Sequence, residues 1–304
     1  MGSRARSAGK VRIGVSGWRY APWRGVWYPA GLPQRRELEF CGRHFPTVEL
    51  NGSFYSLQRP ASYDAWYRDT PPGFLFAVKG SRYITHFLRL HAVETPLANF
   101  LASGLLSLRD KLGPCLWQFP ATFAYDRGRL DGFFRLLPRS TPEALALARK
   151  RDGRMIGRSR LAIDRERPWR HAVEVRHPSF VDDDFRSLAM RHGIAVVVAD
   201  TAGKWPMMFE PTSDMVYVRL HGDAELYTSG YSDAALDVWA DRIRRWARSG
   251  RDVYVYFDND AKVRAPFDAL SLMSRLRVDW LSSAPRRDRP GRRPARGDRG
   301  PTRR

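Results

Sequence analysis

Eight short β-branched or apolar runs recur along the chain: VRIGVS from Val11, TVELN from Thr47, FLFAVKG from Phe74, CLWQF from Cys115, HAVEVR from His171, IAVVVAD from Ile194, MVYVRLHG from Met215 and DVYVYFDN from Asp252. Helical patterns separate most of them, at about 34–44, 61–69, 94–111, 128–137 with 142–152, 182–192, 233–249 and 265–277. Strands that alternate with helices are joined by crossovers and therefore run parallel. Eight such units in 304 residues predict an α/β fold, a single TIM-like (β/α)8 barrel. The clearest helix is 233–249, where Leu236, Trp239, Ala240, Ile243 and Trp246 share one face, Ser232 caps the start and Gly250 ends it. Two stretches depart from the pattern. Residues 200–214 hold Gly203, Pro206 and Pro211 and have no room for a long crossover helix, whereas 138–170 insert an arginine-rich helical segment, read as an elaboration of the barrel.

With 43% apolar residues the chain can bury a full-sized core, so the barrel is expected over 11–280. The formal charge of +20 is unevenly spread. Residues 1–10 read as a flexible basic N-terminus, with three cations and no anion. Residues 281–304 read as a disordered Arg/Pro-rich tail, since 285–304 alone hold nine arginines, two aspartates and four prolines. Such a tail holds phosphate backbones in a salt-sensitive way, which makes nucleic acid a candidate partner through the basic body and tail. A solvated extension is the plainer reading. No apolar run is long enough for a membrane span and MGSRARSAGK lacks a secretory hydrophobic region, so no membrane partner and a cytoplasmic location are expected. Cys41 and Cys115 lack disulfide-framework or zinc-knuckle spacing, which fits a reducing compartment.

Side chains alternate between the two faces of a strand. In HAVEVRH, Val173 and Val175 then share one face while Glu174 and Arg176 share the other, at the strand end where barrels carry their sites. The same reading of each strand yields a polar ring: Ser16, Asn51 with Glu49 one layer deeper, Lys79, Gln118, Arg176 above Glu174, Asp200, His221 above Arg219, and Asp258. The ring carries four acids and three cations, so it either pairs with itself as an ion-pair plug or holds a ligand. The loops above are aromatic, with Trp18 after the first strand, Tyr55 after the second, and Tyr227 and Tyr231 after the seventh. Aromatic rims over a charged floor suit sugars and nucleobases. One histidine on the ring and three cations beside it speak against a zinc cage, and no metal ligand is assigned. A magnesium or manganese ion held by Glu49, Glu174, Asp200 and Asp258 is left open, so the cofactor is unknown.

The blocks GVSGWRYAPWRGVWYP, VELNGSFY, FLFAVKGSRYITH, LWQFP, VEVRHPSF, VYVRLHG with LYTSGYS, and VYVYFDND resemble the YecE-like family, domain of unknown function 72, over about residues 11–276. The resemblance implies a TIM barrel and, by general similarity to metal-dependent endonuclease barrels, work on nucleic acid. This chain departs from the family pattern in having Asp258 and Asn259 where relatives pair two asparagines, and in a longer 138–170 segment.

Three functions follow from these observations. The first is a pocket at the strand ends that binds or hydrolyses a phosphate- or sugar-containing compound, with phosphodiester hydrolysis as its enzymatic form. Glu49 or Glu174 would then be base or metal ligand, His221 the general acid, and Lys79, Arg176 and Arg219 the anion clamp. Ser16, Trp18, Asn51, Tyr55, Gln118, Asp200, Tyr227, Tyr231, Asp258 and Asn259 complete the expected ligand set. The second is a non-catalytic nucleic-acid binder, and the third a small-molecule-binding scaffold. Whether the chain is an enzyme stays open among them.

Overall fold

A computed structural model describes residues 7–280. The tail expected at 281–304 and the first six residues of the basic N-terminus lie outside the described residues. One wholly parallel sheet contains β1 (Val11–Ser16), β2 (Thr47–Leu50), β3 (Leu75–Lys79), β4 (Leu112–Gln118), β5 (His171–Glu174), β6 (Ala195–Val196), β7 (Val198–Asp200), β8 (Met215–Leu220) and β9 (Asp252–Phe257). Its order, β6-β5-β4-β3-β2-β1-β9-β8-β7, begins and ends on two segments separated only by Val197. β6 pairs with β5, β7 pairs with β8, and the Val197 N–H donates to the Val173 carbonyl at 2.9 Å. The run IAVVVAD is thus one barrel strand bent in two, each half holding one neighbour, and the sheet curls into a nearly closed TIM-like barrel.

Helices fill the connections: α1 (Glu37–His44), α2 (Gly52–Tyr55), α3 (Pro60–Asp69), α4 (Glu94–Ala102), α5 (Arg127–Leu136), α6 (Thr141–Ala148), α7 (Asp183–Arg191), α8 (Asp233–Arg248) and α9 (Ala265–Leu276). The Ser232 hydroxyl accepts from the Ala235 N–H to cap α8, whose Leu236, Trp239, Ala240, Ile243 and Trp246 are buried as the spacing requires. The single helix expected over 94–111 is broken. Gly104 takes φ +108° where an added Cβ would lie 2.5 Å from Pro60 Cα, and a 3-10 helix continues over Leu105–Lys111. Residues 201–214 contain no helix. The 138–170 segment is tied at its neck by a Ser140–Pro168 bridge and rests on α4 through Asp152 N–H to Asn99 Oδ1 (3.1 Å) and Arg160 N–H to the Ala102 carbonyl (2.9 Å). Cys41 and Cys115 are buried and free, and among the described residues no helix is long and apolar enough to cross a membrane.

Period-two alternation divides the strands into two shells. Ile13, Val15, Val48, Val78, Trp117, Val173, Val218 and Val255 face the helices in the larger core. Ala77, Leu116, Ala172, Ala195, Val197, Ala199, Tyr217, Tyr254 and Tyr256 fill the barrel interior. That interior is lopsided, with small residues from β3 to β7 facing tyrosines from β8 and β9. The Tyr217 and Tyr256 rings lie 5.0 Å apart, and their buried hydroxyls find partners in Glu49 (2.6 Å) and Thr47 (2.8 Å). Gly14, on the inward face of β1, allows the close approach of β2, because a Cβ there would stand 1.9 Å from the Thr47 carbonyl oxygen. Gly14→Ala is expected to lower stability by about 1–3 kcal/mol in urea denaturation, through overpacking against backbone. A variant as stable as the parent would show that β1 and β2 are held less closely than described.

Candidate functional site at the barrel mouth

Arg219 is the third inward residue of β8, after Met215 and Tyr217, and its side chain is only 1% exposed. A guanidinium has five N–H donors and cannot shed its charge at this depth. Three carboxylates meet it. Glu49 on β2 is held two-pronged, by Nε to Oε2 at 3.1 Å and Nη2 to Oε1 at 2.9 Å. Glu174 on β5 accepts from Nη1 at 2.6 Å, and Asp258, just past β9, accepts from Nη2 at 2.9 Å. Ser16 on β1 accepts from Nη2 at 3.1 Å, donates to Glu49 at 2.6 Å and accepts from Asn51 at 3.0 Å. Burial alone would raise the pKa of Glu174 and Asp258. Arg219 outweighs burial and holds both carboxylates well below the usual range.

The layer above is less complete. Arg176 doubles back onto Glu174 (Nε to Oε1, 2.9 Å) and lies 3.8 Å from the centre of the Trp205 ring. Lys79, at the end of β3, is 8% exposed and places its ammonium 4.5 Å over the Phe54 ring. Among the described residues that ammonium has no carboxylate in ion-pair reach. Burial, then Arg219, lowers its pKa to about 8. His86, edge-on to Phe54 at 5.1 Å, is pushed down to about 4 by burial and by Lys79, Arg176 and Arg82, which marks a positive field at the mouth. His221 lies edge-on to Tyr227 at 5.2 Å, and its Nδ1 is 3.0 Å from Asp258 Oδ2 without hydrogen-bond geometry. Asn51 Oδ1 and Asp260 Oδ1 are likewise buried without partners. Asp260, beside Tyr20, is raised to about 8 by burial and by Asp258.

The structure therefore brings Ser16, Glu49, Asn51, Lys79, Glu174, Arg176, Arg219, His221, Tyr227 and Asp258 to one end of the barrel, with Gln118 buried on the inward face of β4. Five expected members are placed elsewhere. Asp200 shares the outward parity of Val196 and Val198 and accepts from Tyr231 (3.2 Å) and Trp239 (3.3 Å), under α8. Tyr231 is buried against the outward Phe257, so it belongs to that same layer. Asn259 is turned to the Ser229 carbonyl (3.0 Å) and Asp268 (2.8 Å), where it pins a loop. Trp18 packs edge-on to Trp66 and Phe76 in the helix-facing core. Tyr55, 63% exposed, stands on the lip outside the floor. With Asp200 turned away and the other three acids drawn to Arg219, no group of three or more His, Cys, Asp or Glu among the described residues is arranged to hold a metal ion. Tyr20, Phe54, His86, Trp205, Tyr217 and Asp260 also belong to this end. Continuing the β9 alternation from Asp258 would have found Asp260; Phe54 lies in α2 and His86 in the short helical turn Tyr83–Phe87, Tyr20 and Trp205 sit in loops, and Tyr217 is deeper on β8.

Fold and site together define a parallel barrel whose open end stands on a caged arginine. A family model described as "Protein of unknown function DUF72" matches residues 12–290, and the chain belongs to that family. It is 23% identical to the UPF0759 protein YunF of Bacillus subtilis (strain 168), a match that covers 91% of this chain and 98% of YunF. It is 26% identical to the UPF0759 protein YecE of Escherichia coli (strain K12) over 56% of this chain and half the length of YecE. Among solved structures, a DUF72 family protein from Thermotoga maritima MSB8 superposes with a TM-score of 0.68 at 27% identity, covering 88% of this chain and 99% of that one.

Replacing Arg219 with methionine leaves Glu49, Glu174 and Asp258 buried without their common counter-charge. The expected loss is about 3–5 kcal/mol in urea denaturation, partly recovered by adding Glu174→Gln. The depressed carboxylates contribute stability above the unfolded carboxyl range of about 4, and it is lost as pH falls below that. Arg219→Met should therefore lose the acid sensitivity carried by the cage. A variant within about 1 kcal/mol of the parent at neutral pH would contradict this.

Proposed function

We propose that the barrel mouth binds a small anionic compound bearing a phosphate or carboxylate, with Lys79 and Arg176 as its charged contacts. One observation supports the reading: Lys79 is buried at the strand ends with its ammonium over the Phe54 ring and, among the described residues, no carboxylate in ion-pair reach, while the three floor carboxylates are spent on Arg219. A buried charge without a counter-ion is costly, and an anionic ligand would supply the missing partner. The unpartnered Asn51 Oδ1 suits a ligand that also carries hydroxyl or amide groups. Hydrolysis of such a compound would draw its proton transfers from His221 or Asp260, because Glu49 and Glu174 have their lone pairs occupied by Arg219, Arg176, Ser16 and Tyr217.

Function and stability pull in opposite directions at this residue, which makes the test sharp. Lys79→Met should weaken the binding of inorganic phosphate, followed by titration calorimetry, by about tenfold or more, yet raise the melting temperature of the ligand-free protein. Its folded pKa of about 8 lies below the ordinary lysine value of 10.5, so the unfolded chain binds the extra proton between those values. The stability penalty is therefore full below pH 8 and fades toward 10.5, and the gain from Lys79→Met should shrink over that window. Phosphate bound equally by parent and variant would end the proposal.

The mouth also loses positive charge twice near the same pH. Lys79 gives up its proton near 8, and Asp260 becomes an anion there as well. Phosphate affinity should fall above pH 8 more steeply than a single proton allows, and Asp260→Asn should return the slope to one. A slope unaltered by Asp260→Asn would show that Asp260 does not face the ligand.

A further inference from the structure

Beside the mouth, a groove of about 560 Å³ runs between the end of α2, the π-helical turn Tyr83–Phe87, α4 and residues 152–158 of the inserted segment. Tyr55, Ser81, Tyr83, Asp152, Arg154 and Arg158 are among its lining residues. Ser81 lies two residues past Lys79, so the groove opens next to the mouth. Its lip is unusual for a protein surface. Four aromatic side chains are largely exposed among the described residues, and Tyr55 (63%), Tyr83 (47%) and Phe87 (65%) are three of them. Arg82 lies over both Tyr55 (5.2 Å) and Phe87 (5.6 Å), and Tyr83 contacts Phe87 at 6.4 Å. On the opposite wall Arg154 has only a loose pair with Asp152 at 3.8 Å, and the exposed Arg158 has no carboxylate in ion-pair reach among the described residues.

Solvent-facing rings interleaved with arginines form a surface that offers flat π faces at intervals and positive charge between them. A neutral polysaccharide would use the rings and waste the arginines; a plain polyanion would use the arginines and waste the rings. A single strand of nucleic acid uses both, since its unpaired bases stack and its backbone follows the cations. A duplex keeps its base faces covered and gains nothing from the rings. We propose that this groove binds single-stranded nucleic acid, with bases on Tyr55, Tyr83 and Phe87 and a backbone phosphate reaching Lys79 and Arg176. That last contact rests on the anion reading of the mouth; the stacking contacts do not.

The test uses the full chain and a short fluorescein-labelled oligothymidylate, with fluorescence anisotropy as the readout. Tyr55→Ala with Phe87→Ala leaves every charge in place, so attraction to the basic chain ends is untouched. The pair should weaken oligonucleotide binding by about tenfold or more, whereas Tyr55→Phe, which keeps the ring, should restore it in the presence of Phe87. Both side chains are exposed, and an unchanged melting curve will confirm that the variants fold. Undiminished binding by the double variant, or equal binding of an abasic strand by the parent, would overturn the proposal. Phosphate titration of the same double variant separates the two readings: retained phosphate affinity with lost oligonucleotide affinity supports the groove. Failure of phosphate binding in the parent would instead remove the mouth while leaving the stacking result to stand or fall alone.

Discussion

The cage around Arg219 is the interaction on which the strand ends depend. Removing a guanidinium and three carboxylates from water carries a desolvation cost that only near-complete pairing can offset. Here the pairing is close to complete, because the planar donor fork meets Glu49 on two prongs, Glu174 on one outer nitrogen and Asp258 on another. Glu49 is further held by Ser16 and Tyr217, so strands β1, β2, β5, β8 and the end of β9 are all tied to one side chain. A polar layer that would otherwise destabilise a barrel interior becomes its cross-brace.

Charge at the mouth nearly cancels in sum but not in space. The acids lie in the lower layer and are consumed there, while Lys79 and Arg176 stand above them with Arg82 at the rim. An approaching solute therefore meets Lys79 and Arg176 ahead of the fully buried Glu49 and Glu174, while Asp258, 14% exposed and held by Arg219, is the floor acid open to it. The low pKa of His86 reflects this order, since burial is reinforced by the same three cations. Asp260 is the exception in the upper layer, and burial together with Asp258 keeps it neutral at ordinary pH, so it does not oppose them.

Most of this arrangement is legible in the chain wherever apolar and polar residues alternate. MVYVRLHG and DVYVYFDN carry Arg219, His221 and Asp258 on the parity opposite to Val216, Val218, Val253 and Val255, and the strands keep that parity in space. IAVVVAD offers no such contrast, as both of its faces are apolar. Nothing in it fixes which way Asp200 turns, and counting back to Val198 and Val196 puts it outside. Residues beyond the strand ends escape the rule altogether, so the aromatic rim divides: Phe54 reaches the mouth, whereas Trp18 and Tyr231 turn into the outer core, and Trp205 comes to the mouth from a loop with no periodicity to read. The break of the fourth helix at Gly104 is visible only as a glycine; the reason for it, Pro60 from another helix, is tertiary.

The outward turn of Asp200 is also what gives Arg219 its room. To reach Glu49 on β2 and Glu174 on β5 from β8, a side chain must extend across the interior, and it can do so only past small neighbours. The sixth barrel strand presents Ala195, Val197 and Ala199 to the axis, and Ala172 and Ala77 continue the small wall. A carboxylate in place of Ala199 would add bulk and a further anion to the cage in the space that Arg219 crosses. Barrel closure through the bent strand and a clear path for the arginine therefore have the same origin: a segment whose inward positions are all small and apolar, with its one acid spent on the helix side.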